Sequence, residues 1–457
     1  MPEWIDGAIF YHIYPLGLLG APARNDLDQA IEHRLPTLRE WAAHAASLGC
    51  NAIYLGPVFE STSHGYDTID YTRVDRRLGD NRDLVDLIAS FHELGMRVIL
   101  DGVFNHVSRD FPAFRDLLER GADSPFRDWF VKVDFAQRSP LGDPFSYYAY
   151  EGNFDLVKLN LSHPDVREHL FDVARMWFRE LDIDGIRFDA VDAIDHGFLK
   201  DFAAVCREAN PECWLMGEVV NGDYREWTEP GELDSCTNYE AFKGLYSSFN
   251  DRNMFEIAWS LNREFGLDGV YRHLRLYSFA DNHDVNRVAS LLHRAEDLAS
   301  LYAILFAMPG VPSIYYGSEW GISADKGQAN DVVLRPALSL PAAVDEAPHP
   351  WLASHLARLA EVRQASPALR HGDYRQLYVS PEQFAFQRLT DDDVALVVVN
   401  AWDGMTDVEF AVDFDDGVIL VDGLDQASSA TVESGRIRIA MPPNSTRILT
   451  GRITCEA

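Results

Sequence analysis

The sequence predicts an α/β protein, a (β/α)8 TIM barrel with a subdomain inserted after its third strand and an antiparallel β-sandwich at its C-terminus. Three observations carry that expectation. Before residue 367, short apolar runs alternate with amphipathic stretches whose spacing is near 3.6 residues. From about Ala368, β-rich runs separated by Asp/Gly/Asn turns follow one another with no helical stretch between them. Two of the earlier apolar runs end in carboxylates, Asp189 and Glu218, 29 residues apart, which is about one strand, one helix and the loop between them.

The expected barrel strands are Ala8–Tyr14, Ala52–Leu55, Arg97–Val103, Asp184–Phe188, Cys213–Met216, the weaker Asp234–Thr237, Leu274–Phe279 and Ser313–Tyr316. Between them, Leu35–Leu48, Arg82–Leu94, Val166–Leu181, His196–Ala209 and Asp297–Ala307 read as helices. The stretch from Asn105 to Asp165 is too long for a simple loop. It carries Phe111, Phe114, Trp129, Phe130, Tyr147, Tyr148 and Tyr150, enough aromatic surface for a small core of its own. The expected organisation is therefore a barrel over 1–104 and 156–366, an insertion over 105–155 and a sandwich over 367–457. In the sandwich, Tyr374–Val379, Phe384–Leu389, Val394–Asn400, Val408–Val412, Val418–Val421 and Ile437–Ala440 are the expected strands.

A chain of 457 residues with 47% hydrophobic and 12% aromatic content folds as more than one compact unit and is not disordered. Its formal charge of −32 excludes ready binding to phosphate backbones and suits a neutral substrate. The N-terminal residues show no basic segment followed by an apolar one, and no run of eighteen apolar residues occurs, so neither a secretory signal nor a membrane span is expected. The five cysteines, Cys50, Cys206, Cys213, Cys236 and Cys455, form no CxxC pair and read as free thiols. A cytoplasmic enzyme follows, with no nucleic-acid or membrane partner and its oligomeric state open.

Arg187 and Asp189 are two apart on a strand and point to the same side. A guanidinium there favours an ionised carboxylate, the state of a nucleophile. Glu218 ends the run Trp214-Leu215-Met216, where loss of water favours the protonated carboxyl of a general acid. A carboxylate pair facing one cleft is the apparatus of glycosidic bond cleavage. Taken singly, each carboxylate reads as a structural ion pair at a strand end. Asp281-Asn282-His283-Asp284 follows the seventh strand and adds a third carboxylate, although Asp and Asn also cap helices. Asp101-Gly102-Val103-Phe104-Asn105-His106 opens the insertion, and His64-Gly65-Tyr66-Asp67 offers an aromatic face for a pyranose ring or, more simply, a surface turn.

In order and at barrel spacing, these pieces resemble the alpha-amylase family, glycoside hydrolase family 13, over roughly residues 8–450. Its four signatures resemble Asp101–His106, Gly185–Asp189, Gly217-Glu218 and His283-Asp284. The resemblance implies that Asp189 is the nucleophile, Glu218 the general acid/base and Asp284 the transition-state stabiliser. Tyr66, His106, Arg187 and His283 would line the site of the sugar being cleaved, with Asp67 and Arg335 paired beside it. Leu156-Val157-Lys158-Leu159-Asn160, Asp128-Trp129-Phe130, Leu170–Arg175 and Asn330-Asp331 followed by Arg335-Pro336 are similar to the neopullulanase and cyclomaltodextrinase group. With the first barrel strand expected by Ala8, the extra N-terminal domain of that group is not expected; Val219-Val220 replaces the bulky aromatic that follows its acid/base, and Asn286 replaces an acidic residue.

The implied activity is retaining hydrolysis of α-1,4-linked glucooligosaccharides, namely maltooligosaccharides, with cyclodextrins and pullulan as further candidates. The alternative is glucosyl transfer or isomerisation of the trehalose-forming type at the same site. Many alpha-amylases hold calcium partly through residues like Asn105 and an Asp where this chain has Lys158. An ammonium repels or replaces a hard divalent ion, so no metal and no other cofactor is expected. A metal-dependent barrel hydrolase would want several histidines at strand ends, often as His-x-His, and His12, His106 and His283 do not supply them. A non-catalytic relative would be expected to have lost one of the three acids.

Overall fold

The computed structural model describes residues 1–327 and 331–453, so Asn330 and Cys455 lie outside the described residues. Eight parallel strands form one sheet: β1 (Phe10–Ile13), β2 (Ala52–Leu55), β3 (Arg97–Gly102), β4 (Gly185–Phe188), β5 (Trp214–Gly217), β6 (Ser235–Cys236), β7 (Tyr277–Phe279) and β8 (Val311–Tyr315). Their order is β6-β5-β4-β3-β2-β1-β8-β7. A parallel bridge between Thr237 and Tyr277 joins β6 to β7 and closes the sheet into a cylinder. All eight expected strands are present. The weakest in sequence, β6, is two residues long and pairs with β5 at Met216–Ser235 and Gly217–Cys236.

Alternation along the strands sends one set of side chains inward. Phe10, Tyr54, Ile99, Trp214, Met216 and Tyr277 fill the cylinder and are fully buried or nearly so. Phe10 stacks on Trp214 at 5.3 Å and meets Tyr277 edge-on at 5.6 Å. The interior is therefore a packed plug rather than a pore. Close strand approach has a sequence cause at Gly185, where a Cβ would lie 2.1 Å from the Trp214 carbonyl oxygen of β5.

The outer helices follow the amphipathic stretches. Asn81–Glu93 starts at a reciprocal capping box between Asp80 and Asp83 and buries Leu84, Leu87, Ile88 and Phe91. His196–Ala209 starts at Asp195, whose carboxylate accepts from the Phe198 amide. Asp297–Ala307 is buried on every face, because it lies between the barrel and the C-terminal sheet.

The insertion builds a three-stranded antiparallel sheet from His106–Ser108, Asn153–Lys158 and Ala149–Tyr150. Its own core is the cluster of Phe114, Phe130, Phe145 and Tyr147, with Arg109 paired to Asp143 at 2.6 Å. The strand Asn153–Lys158 runs across residue 155, where sequence texture places the boundary, because pairing with His106–Ser108 continues to Lys158.

At the C-terminus a six-stranded antiparallel sheet runs in the order Asp373–Val379, Gln383–Leu389, Asp393–Asn400, Ser445–Arg452, Ile419–Asp422 and Ser429–Thr431. A two-stranded sheet of Thr406–Ala411 and Arg436–Met441 faces it across Leu396, Val398, Phe410, Ile439 and Leu449. Sequence patterning misses Ser445–Arg452, which pairs with Asp393–Asn400 over its whole length. Its apolar residues Ile448 and Leu449 are adjacent and flanked by Arg447 and Thr450, so no alternation marks the strand.

Candidate active site

The C-terminal ends of β3, β4 and β5 bring three carboxylates onto one guanidinium. Asp101 and Arg187 are register partners on neighbouring strands, as are Arg187 and Met216. One further step along the ladder, the Asp189 amide donates to Gly102 O at 3.0 Å and the Glu218 amide to Phe188 O at 2.9 Å. Both acidic residues are thus fixed by backbone at the rim. The buried Arg187 side chain donates through Nη1 to Asp101 Oδ1 at 2.9 Å and to Asp189 Oδ1 at 2.8 Å. Its Nη2 lies 2.7 Å from Glu218 Oε2.

Glu218 has two more partners. Tyr239 Oη donates to its Oε1 at 3.3 Å, and the Ala190 amide lies 3.4 Å from its Oε2. Ala190 has φ 45 and ψ 46, a left-handed conformation rare for a residue with a Cβ. Such strain is typical of sites where the fold over-determines the backbone, and here it turns an N–H toward Glu218.

Burial is the largest influence on the Asp189 carboxyl and pushes it well above its ordinary range. Arg187 opposes that shift, whereas the Glu218 and Asp101 charges add to it. The sequence expectation of an Asp189 lowered by Arg187 counted only the guanidinium, and desolvation outweighs it.

Asp284 stands in the loop after β7, with Oδ1 2.8 Å from Arg335 Nη2 and Oδ2 2.9 Å from His283 Nε2. Burial works against its charge, yet His283 and Arg335 hold it well below the usual carboxylate range. His283 is sandwiched by rings, stacking on Tyr66 at 5.4 Å and on Tyr14 at 5.8 Å. Tyr66 Oη hydrogen-bonds His283 Nε2 and donates to Asp101 Oδ2 at 2.8 Å. Tyr54 Oη reaches the same oxygen at 2.7 Å. A continuous chain Asp284–His283–Tyr66–Asp101–Arg187 therefore spans the cylinder mouth.

His106 is buried beside it, its Nε2 3.0 Å from Tyr66 O and its ring stacked on Tyr150 of the insertion at 4.7 Å. Burial lowers its pKa to about 3, so the ring is neutral. The expected pairing of Asp67 with Arg335 does not form. Arg335 turns to Asp284, and Asp67 accepts from the Ser63 amide at 3.1 Å and hydroxyl at 2.6 Å. Asp67 instead fixes the turn that carries Tyr66. Asp281 likewise holds structure, accepting from Ser318 Oγ at 2.8 Å and the Val288 amide at 2.8 Å. Asn286 donates to Asp325 Oδ1 at 2.8 Å.

Sequence reasoning passes over Tyr239, Tyr54 and Tyr14. Tyr239 lies just past the weak β6, and an aromatic directly after a barrel strand is the signal that could have found it.

Two places bear on metal binding. Lys158 Nζ donates to Asn105 Oδ1 at 2.7 Å and to Ala193 O at 2.8 Å, so an ammonium occupies the oxygens that a calcium ion would need. Those residues do not fit calcium. Among the described residues, His33, Asp80 and Asp83 are close enough to share an ion, but Asp80 and Asp83 already cap a helix.

The chain is similar to several known proteins. The family profile described as alpha amylase, catalytic domain, matches residues 43–358. A cyclomaltodextrinase from a Bacillus species is 32% identical over 425 residues, covering 87% of this chain and 73% of that protein. The intracellular maltogenic amylase of Bacillus subtilis (strain 168) is 30% identical over 363 residues, covering 74% of this chain and 58% of that protein. Among solved structures, a cyclomaltodextrinase superposes with a TM-score of 0.85 at 28% identity, covering 98% of this chain and 79% of that one. The cyclic α-maltosyl-(1→6)-maltose hydrolase of Arthrobacter globiformis, in its ligand-free form, gives 0.81 at 26% identity, covering 99% of both chains.

Proposed function

The chain belongs to the alpha-amylase family and is a glycosidase, and from that premise we propose that it cleaves α-1,4-linked glucooligosaccharides with retention of configuration, using Asp189, Glu218 and Asp284. The observation that carries the assignment is the pair of contacts from Arg187 to Asp189 at 2.8 Å and to Glu218 at 2.7 Å. One side chain holds both acids at one mouth of the barrel.

Glu218 protonates the bridging oxygen while Asp189 attacks the anomeric carbon, and the departing sugar leaves a covalent glycosyl-enzyme. Glu218, now ionised, takes a proton from water, whose oxygen displaces Asp189. Two inversions give net retention, and the mechanism requires carboxyls about 5–5.5 Å apart. Asp284, held ionised by His283 and Arg335, faces the ring as positive charge develops on it. Tyr66 offers a stacked aromatic face to the same ring.

Proton NMR of products at early times tests the reading. Maltotriose should give α-anomers first; β-anomers first would mean an inverting enzyme and overturn it. Glucose and maltose as products mark hydrolysis, and longer or differently linked sugars mark transfer. No calcium is needed at Asn105, a proposal supported by the Lys158 ammonium bound there. Cytoplasmic action is supported by the four free, buried cysteines Cys50, Cys206, Cys213 and Cys236 and by the intracellular maltogenic amylase relative. Among the described residues no helix is long and apolar enough to cross a membrane.

A further inference from the structure

A groove of about 760 Å³ opens beside Glu218, within the range of about 300–1,000 Å³ usual for small-molecule sites. Glu218 itself does not line it, but its neighbours do. Tyr239, which donates to Glu218, forms part of its wall, and Val220, two residues after Glu218, part of its rim. Neither Asp189 nor Asp284 nor His283 lines it. A smaller cavity of about 290 Å³, lined by Tyr14, His64 and Arg335, lies next to Asp284's partner instead. The acid that protonates the bridging oxygen stands at the leaving group, so the larger groove is on the leaving-group side.

The far part of the groove is aromatic and exposed. Phe255 and Trp259 are one turn apart on the helix Phe255–Phe265, where positions i and i+4 share a face. They are 47% and 63% exposed, with the indole facing water on a chain that buries most of its aromatic residues. Side chains at that spacing have Cβ atoms about 5–6 Å apart, close to one glucosyl repeat. The polar lining offers hydroxyl partners. Lys243 is exposed and, among the described residues, has neither an ion-pair nor a hydrogen-bond partner. Glu240 Oε1 is buried without a partner while the other oxygen holds Arg263.

We propose that Phe255 and Trp259 form a stacking platform for the leaving-group end of linear α-glucans, beyond the unit next to the scissile bond, and that the same platform seats sugar acceptors in transfer. The proposal rests on the glycosidase reading above and adds a preference for longer chains. Apolar pyranose faces bury against the rings, while Lys243 meets the hydroxyls.

The test compares kcat/KM for maltoheptaose and maltotriose in the wild type, Trp259→Ala, Phe255→Ala and the conservative Trp259→Phe. Truncating Trp259 should cost maltoheptaose about tenfold more than maltotriose, mainly through KM, with Trp259→Phe recovering most of it. Unchanged thermal unfolding shows that the exposed side chain is not structural. Equal losses on both sugars, or none on either, would overturn the platform. So would sedimentation showing that Trp259→Ala dissociates a dimer while leaving the chain-length preference intact, because the groove would then bind a second copy. A wild type inactive on both sugars removes the glycosidase reading itself and the platform with it.

Discussion

Replacing Glu218 by Gln separates proton donation from everything else this side chain does. The amide keeps the shape, and its oxygen still accepts from Arg187. Arg187 also keeps Asp101 at 2.9 Å and Asp189 at 2.8 Å, so no buried charge is left unpaired and the variant should fold. What is lost is a positioned proton, worth about 10²–10⁴ in rate, or about 2.7–5.4 kcal/mol of barrier. The loss must depend on the leaving group, since a sugar alcohol needs the proton and fluoride does not. For maltotriose, kcat/KM should therefore fall about 10²–10⁴-fold, while for α-maltosyl fluoride it should fall less than about tenfold. Azide, which needs no base, should restore turnover by attacking the glycosyl-enzyme and yield the α-glycosyl azide. Equal losses on both substrates, or a β-azide product, would refute the assignment of Glu218 as acid/base and of Asp189 as the group that carries the sugar.

Lys158→Met leaves Asn105 Oδ1 and Ala193 O without their donor, at a cost of about 1–3 kcal/mol for each oxygen left buried, read by thermal unfolding. The wild type should unfold at the same temperature with and without a chelator, and a fall that calcium reverses would contradict the exclusion of the ion. His106, neutral in the fold with a pKa of about 3, takes a proton near pH 6.5 once unfolded. The unfolded chain therefore binds more protons below pH 6.5, and stability is lost progressively as pH falls from 6.5 toward 3, by about 2 kcal/mol at pH 5 from this group. His106→Gln should flatten the change in urea midpoint between pH 7 and pH 5, and an unaltered slope would remove His106 as its source. Gly185→Ala would place a methyl group 2.1 Å from Trp214 O and should abolish soluble expression, whereas recovery of folded protein would show that β4 and β5 can part.

The barrel is legible in the sequence because its strands are buried on both faces and its helices on one, so apolar runs and 3.6-residue spacing both survive in the chain. Asp189, Glu218 and Asp284 are legible for a related reason: each follows directly on an apolar run or the loop after it. What the sequence hides is lateral. That Asp101 would be the register partner of Arg187, or that Tyr66 and Tyr54 would converge on one Asp101 oxygen, depends on pairing between segments 30 to 90 residues apart. The choice Arg335 makes between Asp67 and Asp284 is hidden in the same way, because both are carboxylates at the same rim. Tyr239, Phe255 and Trp259 look like ordinary helix residues until two helices are seen to line one groove, with Tyr239 reaching Glu218.

The site's chemistry depends on the plug beneath it. Three carboxylates around Arg187 form an arrangement in which water would screen each charge and let the side chains separate. Phe10, Trp214 and Tyr277 exclude water from below, Tyr54 ties that apolar layer to Asp101 through its hydroxyl, and Tyr66 donates to the same oxygen. Desolvation then raises Asp189 while Arg187 restrains it, so the proton affinity of that carboxyl is set first by the dryness of the plug. Ala190 adds a left-handed backbone at about 1–3 kcal/mol, which only a rigid surround can hold. A loosened plug, for example Trp214→Ala, would therefore disturb the pH dependence of kcat/KM before it disturbed substrate binding, because the proton affinity of Asp189 depends on burial first and on Arg187 second.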